Sequence, residues 1–478
     1  MSTAMNSQKV GFRPASQTAL NNPDLQQALA RARGGFVDKR QIAIEALPEF
    51  EAIKARAKAI KDHSLDHLSD YLIEFEENVT ASGGQVHWAQ TTEQANEIIL
   101  NICNEAKARK ITKGKSMISE EMQLNAALEQ ADFEVMETDL GEYIIQLAKE
   151  TPSHIIAPAV HKTKAQIETL FDQFHAADLP SNRSREALVS EARLRLREAF
   201  LSADVGITGA NFLVANTGST VLVTNEGNGD LTASIPDVHI VTASIDKVIP
   251  KLSDLPTFLR LLGRSATGQE ITTYTTLFTG PKQAPDEAGP KAFHVVLLDN
   301  GRSEILHSEF KAALRCIRCG ACMNHCAVYG TVGGHAYESV YPGPIGQVMT
   351  PLLNGLEGSL DTISACTMNG HCSVVCPMSI PLTDLIRQHR INAFTQNKNS
   401  LIERKGLGAW QWLSLHPRAY CLGTALSGRA VKMLNAWPFL QRFTPMLRGW
   451  KTGRALMRAQ GTTFQAQYKK RRQHEDTT

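Results

Sequence analysis

The chain has 478 residues, with 50 Lys or Arg against 48 Asp or Glu and 42% hydrophobic residues, the size and balance of a globular protein of two or three domains. No apolar run approaches the roughly 18 residues that a spanning helix needs. The start, MSTAMNSQKVGFRP, has no apolar core behind a basic stretch, so membrane insertion and export are not expected and a cytoplasmic location is. The net charge of +2 hides a split, because residues 404–472 hold 14 Lys or Arg and no Asp or Glu, leaving 36 basic and 48 acidic residues elsewhere.

Residues 1–40 are polar with scattered Ala and Arg, and are expected to be a flexible arm. From 41 to 80, apolar residues recur at helical spacing. QVHWA then precedes the helical TTEQANEIILNICNEAKARK, and KITKGKSMIS, FEVMETDL and SHIIAPAV add further short apolar runs. This alternation predicts an α/β domain with a largely parallel sheet over 41–300. PSNRSREALVSEARLRLREAF at 180–200 reads as a charged surface helix or pair of helices. NFLVA, STVLVTN, DVHIVTA, DKVIP and FHVVLLD read as strands, punctuated by the turn-like EGNGD at 226–230. A helical segment near 303–314 leads into a cysteine-rich region, 301–400. After 382 the pattern is helical, broken at HP 416–417 and WP 437–438, and the closing KKRRQHEDTT reads as a disordered tail.

Without a secretory signal, cysteines are better read as metal ligands than as disulfides. Of nine, Cys103 and Cys421 stand alone and seven fall between 316 and 376. CIRCGACMNHCAVYG places Cys316, Cys319, Cys322 and Cys326 at C-x2-C-x2-C-x3-C. The first three thiolates can bind three irons of one cubane, while the fourth serves the other cluster in two-cluster ferredoxins. Zinc is the alternative, but four cysteines this dense are an awkward way to build one tetrahedron. In CTMNGHCSVVCPMSIP, the spacings from Cys366 to Cys372 and on to Cys376 repeat those from Cys316 to Cys322 and Cys326, with Asn369 in the place of Cys319. Crossing the fourth ligands assigns Cys316, Cys319, Cys322 and Cys376 to a 4Fe–4S cluster. Cys326, Cys366 and Cys372 remain for a second cluster, for which 3Fe–4S is favoured over an incomplete 4Fe–4S. The run C-x5-C-x3-C-P resembles the three-iron motif of succinate dehydrogenase and fumarate reductase iron–sulfur subunits. A fourth iron held by water, Asn369 or His371 would instead be open to act as a Lewis acid on a hydroxy acid.

These runs, with GGHAYESVYPGPIGQVMTPLL at 333–353, TNEGNGD at 224–230, KGKSMISEE at 113–121 and ETDLGEYIIQL at 137–147, resemble the lactate utilization iron–sulfur protein LutB family. The similarity covers about 60–400. It implies an α/β LUD domain of the NagB/CoA-transferase-like kind, then an α-helical, two-cluster ferredoxin-like domain and a basic helical C-terminal region over 401–478. It also implies electron transfer within a cytoplasmic three-protein system that oxidises L-lactate to pyruvate. The implied partners are a CCG-repeat iron–sulfur protein and a second LUD-domain protein. Asn369 departs from the family pattern of two complete cysteine runs.

TNEGNGD follows an apolar strand, so Asn225, Glu226 and Asn228 are candidate substrate contacts, with a plain turn as the alternative. TGANFLVANTGST has small and hydroxyl residues able to meet an anion, without a phosphate fingerprint. Lys115 with Glu120 and Glu121 is a candidate polar cluster, and His335 a candidate donor to a cluster sulfur. Neither His154 nor His161 has a neighbour that marks it as a base. Trp410, Trp412, Trp437 and Trp450 interleave with the basic residues of 404–472, a composition suited to peripheral contact with the inner face of an anionic membrane or to an acidic protein. No nucleic-acid reader motif is present. The competing functions are hydroxy-acid chemistry in this chain, at an open iron near Asn369 or in the α/β domain, and a redox or ligand sensor.

Overall fold

A computed structural model of the chain describes residues 10–175, 182–437 and 462–475. They fall into two compact units, Met1–Ala393 and Phe394–Thr478.

The first unit is built on two sheets. Its ten strands are β1 (Gln85–Ala89), β2 (Lys110–Lys113), β3 (Glu134–Glu137), β4 (Val205–Gly209), β5 (Phe212–Val214), β6 (Ser219–Thr224), β7 (Val238–Ser244), β8 (Val248–Ile249), β9 (Tyr274–Phe278) and β10 (Ala292–Leu298). Six form an all-parallel sheet in the order β1-β10-β7-β4-β2-β3. A parallel sheet is covered on both faces, so its central strands read as continuous apolar runs rather than alternating ones. In β7 and β10 all but the first residue is buried. Ile207, Ile240 and Val296 point to one core with Ile99, Leu124 and Leu128, while Val241, Phe293 and Val295 point to another with Phe75 and Val79. The smaller sheet, β8-β5-β6-β9, mixes parallel and antiparallel pairs.

The cysteine-rich segment is helical and short-turned, with helices Ala321–Asn324, Gly343–Asn354, His371–Val375 and Leu382–Thr395. It shares one core with the α/β part: Phe50, Phe258 and Phe310 pack in the same cluster as Met323, Ile345, Val348 and Ile386.

The structure departs from the sequence pattern in five places. Residues 12–45, expected in part as a flexible arm, form consecutive helices packed on the cysteine-rich segment. Phe12 meets Tyr337 edge-on, Gln26 Nε2 donates to the Thr331 carbonyl, and Arg40 Nη2 donates to the Val375 carbonyl at 2.8 Å. The apolar positions there are too few to signal a buried face without the distant surface that they cover. SHIIAPAV is a turn-rich loop rather than a strand, and its His154 is buried. EGNGD does not close a hairpin but turns β6 into the helix Asn228–Ser234. β9 was hidden by its exposed, Thr-rich sequence. Residues 469–475 of the closing KKRRQHEDTT, expected as a disordered tail, belong to the helix Phe464–Glu475. The helix Leu401–Leu415 ends before Pro417 and the next ends at Ala436, as the prolines require. Among the described residues no helix is long and apolar enough to cross a membrane. Trp450 and much of the basic stretch lie outside the described residues.

Candidate functional site

The two cysteine runs share one backbone design, offset by 50 residues. Cys316 (φ −64°, ψ 120°) corresponds to Cys366 (φ −60°, ψ 125°). Two residues on, Arg318 and Met368 both sit at positive φ, 57° and 58°. Gly320 and Gly370 then adopt φ 73° and 81°, a left-handed turn that only glycine enters cheaply. Each loop opens a short helix carrying the next cysteine. The amides of Arg318 and Met368 donate to the sulfurs of Cys316 and Cys366 at 3.3 and 3.4 Å. Those of Tyr329 and Ile380 donate to the sulfurs of Cys326 and Cys376, both at 3.5 Å. Asn369 has changed one ligand without changing this loop. Its side chain is exposed, and its Oδ1 accepts from the His371 amide at 3.0 Å.

The thiols separate into two sets by their mutual electrostatic effects. Cys316, Cys319, Cys322 and Cys376 act on one another, and so do Cys326, Cys366 and Cys372. The first four line one small cavity with Ile345 and Met378. Burial, and then the neighbouring thiols, push Cys319 up to about 12 and Cys372 to about 11. Left alone, such thiols stay protonated, whereas bound iron holds them as thiolates. Among the described residues no three cysteine sulfurs lie within 4.8 Å of one another. A zinc tetrahedron with bonds of about 2.3 Å would bring its sulfurs to about 3.8 Å. The donor set and its spread therefore fit iron–sulfur clusters, held by four thiols in one set and three in the other.

Arg40 was missed by sequence reasoning because it falls within the supposed arm. It is buried, and its guanidinium acts on Cys319 and Cys376. Burial lowers its pKa while those sulfurs oppose the shift. His335 does not face a sulfur: its Nε2 pairs with the Thr151 carbonyl at 2.7 Å, and its ring lies edge-on to His161. The expected Lys115 cluster is divided. Glu120 pairs with Lys113, and Glu121 takes both Nη atoms of Arg302 at 2.9 and 2.7 Å.

Lys115 instead lines a cavity of about 370 Å3 together with Asn225, Glu226 and Asn228. It opens where Gly114 follows β2 and Thr208–Asn211 close β4. Strand β2 pairs with β3 on one side and β4 on the other, so the cavity sits at the carboxyl ends of the strands where their order reverses, the usual ligand position in open α/β sheets. Asn225 also bonds Gln269 and Thr273, which fixes the turn. Lys247 and Arg318 line the same cavity. Neither was singled out by motif, since each acquires meaning only when the cysteine-rich segment docks on the sheet.

Residues 72–298 match the LUD domain family and residues 312–380 the 4Fe-4S dicluster domain family. The chain is 39% identical over 468 residues to an uncharacterized electron transport protein, YkgF, of Escherichia coli (strain K12), covering 97% of each. It is 40% identical over 444 residues to lactate utilization protein B of Oceanobacillus iheyensis, covering 92% of each. It is 42% identical over 414 residues to the protein of the same name in Shouchella clausii, covering 86% of this chain and 87% of the relative. A solved DUF162 family protein from Deinococcus radiodurans aligns with 48% of this chain and 98% of its own at 12% identity, with a TM-score of 0.28, too low to bear on the fold. Its α/β sheet, dicluster segment and nearly full-length identity to these relatives place the chain in the lactate utilization protein B family.

Proposed function

We propose that the chain is the iron–sulfur electron-transfer subunit of a cytoplasmic assembly that oxidises L-lactate to pyruvate. The observation that supports it is the exchange of fourth thiols, Cys376 into the first set and Cys326 alongside the second, within one small helical frame. The relatives' names, lactate utilization protein B and electron transport protein, point to the substrate and to the work. Oxidising a 2-hydroxy acid to a 2-oxo acid releases two electrons and two protons, and bound clusters supply one-electron carriers. The chain's own part is to hold the thiolates, to direct four amides at their sulfurs and to set Arg40 beside the first set; the amides and the arginine favour the reduced form. The second cluster is 3Fe–4S on this reading: three thiols form the set, and the Asn369 carbonyl is turned onto the His371 amide of its own loop rather than offered as a fourth ligand.

A CCG-repeat iron–sulfur protein and a second LUD-domain protein complete the proposed assembly. The parallel sheet supports a NagB/CoA-transferase-like domain, and the basic, Trp-bearing 404–472 supports peripheral membrane contact. Anaerobic EPR tests the reading. L-lactate added to the purified chain should leave its clusters oxidised, and adding both partners should reduce them. Reduction by lactate in the chain alone would move catalysis into this subunit. A protein that assembles no cluster would end the proposal.

A further inference from the structure

The cavity and the first thiol set are separated by a single layer of residues. Ile155, Ile317 and Arg318 line both the cavity and the smaller space enclosed by the four cysteines. Arg318 lies between two of those cysteines in sequence, and Lys247 Nζ donates to the Cys316 carbonyl at 3.4 Å. Whatever occupies the cavity is therefore adjacent to the cluster without touching it.

The charges of this wall are not balanced from within. Lys61, Lys247, Arg302 and Arg318 act on Asp246, while Glu121 answers to Arg302 and Arg318. Arg302 engages both carboxylates directly. Among the described residues neither Lys247 nor Arg318 makes an ion pair, although Lys247 is only 5% exposed. Arg318 is held by its stacking on Tyr341, 5.0 Å to the ring centroid, and by one long contact to Ser244 Oγ at 3.5 Å. Most of its donors are left over. Lys247 is buried and feels Asp246 and Cys316 without an ion pair, and Arg318 is half-buried, so an anion in the cavity would give both a direct partner. Arginine's fork suits a carboxylate in particular. A second charged group in the lining has the other sign: Asp139 and Glu226 act on Lys115, a net charge of −1, and Asn225 and Asn228 line the cavity with them. That group accepts a hydroxyl or keto group and repels a second carboxylate.

We propose that this cavity binds a short monocarboxylate of the 2-hydroxy or 2-oxo acid class, its carboxylate on Arg318 and Lys247 and its oxygen-bearing end toward Asn225, Glu226 and Asn228. The proposal rests on the electron-transfer reading only for the choice of acid; binding itself requires no turnover. It places the organic acid beside the first cluster in this chain rather than in a partner.

Calorimetry on the anaerobic, cluster-loaded full chain tests it, with L-lactate, pyruvate, lactamide and succinate as probes. L-lactate or pyruvate should bind saturably, and lactamide and succinate at least about tenfold more weakly, since each loses or opposes one charged contact. Binding should also perturb the EPR spectrum of the reduced 4Fe–4S cluster. Arg318→Gln and Lys247→Gln should each weaken lactate about tenfold or more, with Arg318→Lys partly restoring it. Glu226→Arg, on the exposed lip, should admit succinate, a gain that a damaged fold cannot mimic. Equal binding of lactate and lactamide would overturn the proposal, as would no saturable binding by a chain whose clusters still reduce with dithionite. So would an Arg318→Gln variant whose cluster potential shifts while lactate affinity stays unchanged, because the arginine would then serve the cluster alone. In each of those cases electron transfer stands and only the ligand site falls.

Discussion

At Asn369 the chain separates two things that a ferredoxin loop normally does together: it keeps the backbone and gives up the thiolate. The matching dihedrals of the two runs mean that Asn369→Cys would enter a loop already shaped for a ligand. The native protein should contain about seven irons, four plus three, and show an oxidised S = ½ signal of the three-iron type. The cysteine variant should approach about eight irons and lose that signal. Eight irons in native protein, with no change in the variant, would sink the three-iron reading. The crossing makes a second, sharper demand at residue level. Cys376→Ser lies in the second run, yet it should abolish the first cluster's 4Fe–4S signal and spare the three-iron signal; the opposite pattern would refute the assignment. His154 bears on stability rather than on electrons. Its Nδ1 accepts from the amides of Ile156 and Ala157, so Nε2 carries the proton and donates to Asn324 Oδ1 at 2.8 Å, fastening the 153–158 loop to the first cysteine run. Burial lowers its pKa to about 4. The unfolded chain takes up the proton first, so its contribution is full above about pH 6.5 and fades as the pH falls toward 4. Denaturation midpoints should drop through that window, by up to about 1.4 kcal/mol per pH unit for each such histidine. Removing His154 should flatten the slope.

Between elements, the α/β sheet and the cysteine-rich segment are joined by a buried charge chain. Arg302, just after β10, is fully buried and takes Glu121 with two hydrogen bonds; its Nε lies 3.1 Å from Asp246, after β7, in an ion pair without hydrogen-bond alignment. Tyr341 donates to Glu121 at 2.6 Å and carries Arg318 on its ring. Arg302→Met strands two carboxylates in the interior and should cost about 3–5 kcal/mol in anaerobic denaturant unfolding, an uncompensated buried charge being far worse than a missing pair; a cost below about 1 kcal/mol would show that the chain is decoration. Arg40 gives the N-terminal helices a comparable role toward the first thiol set. Replacing its charge with Gln should lower the first cluster's midpoint potential, on the order of tens of millivolts, because the reduced state carries the extra negative charge. What was legible in the sequence at this scale follows from period and spacing. β7 and β10 announce themselves as apolar runs, and the cysteine frame is a local covalent pattern. Arg40, Lys247 and Arg318 were not legible. A single cation in an ordinary segment has no periodic signal, and its meaning comes from residues between 69 and 336 positions away, Cys316 for Lys247 and Cys376 for Arg40. SHIIAPAV misled for a related reason: its apolar residues serve a buried loop whose backbone is satisfied by His154 and neighbouring carbonyls rather than by a strand partner.

For the whole molecule, charge and exposure divide along the same line. Two of the described helices of the C-terminal unit, Leu401–Leu415 and Pro417–Ala436, bury no residue. Ile402, Trp410, Trp412, Leu415, Leu422 and Trp437 are exposed, Ile402 to 86% and Trp410 to 65%. Arg404, Lys405, Arg418, Arg429 and Lys432 lie on the same two helices, and no acidic residue follows Glu403 until Glu475. Two helices that expose large apolar side chains and carry five cations against the single Glu403 have the composition of an interfacial surface. A protein delivering electrons toward a membrane carrier would be held where it is needed. Each cation near an anionic bilayer contributes about 1 kcal/mol at low salt, so five give the attraction a strong dependence on ionic strength, while the tryptophans add a part that salt does not screen. The full chain should therefore sediment with phosphatidylglycerol-containing vesicles at low salt, release in large part at about 0.5 M salt, and ignore purely zwitterionic vesicles. Trp410→Ala with Trp412→Ala should reduce vesicle affinity roughly tenfold while leaving iron content and EPR signals intact. Equal binding to zwitterionic and anionic vesicles would refute the role of the charges, while no binding to either at low salt would exclude a bilayer partner and leave an acidic protein as the surface that these helices meet.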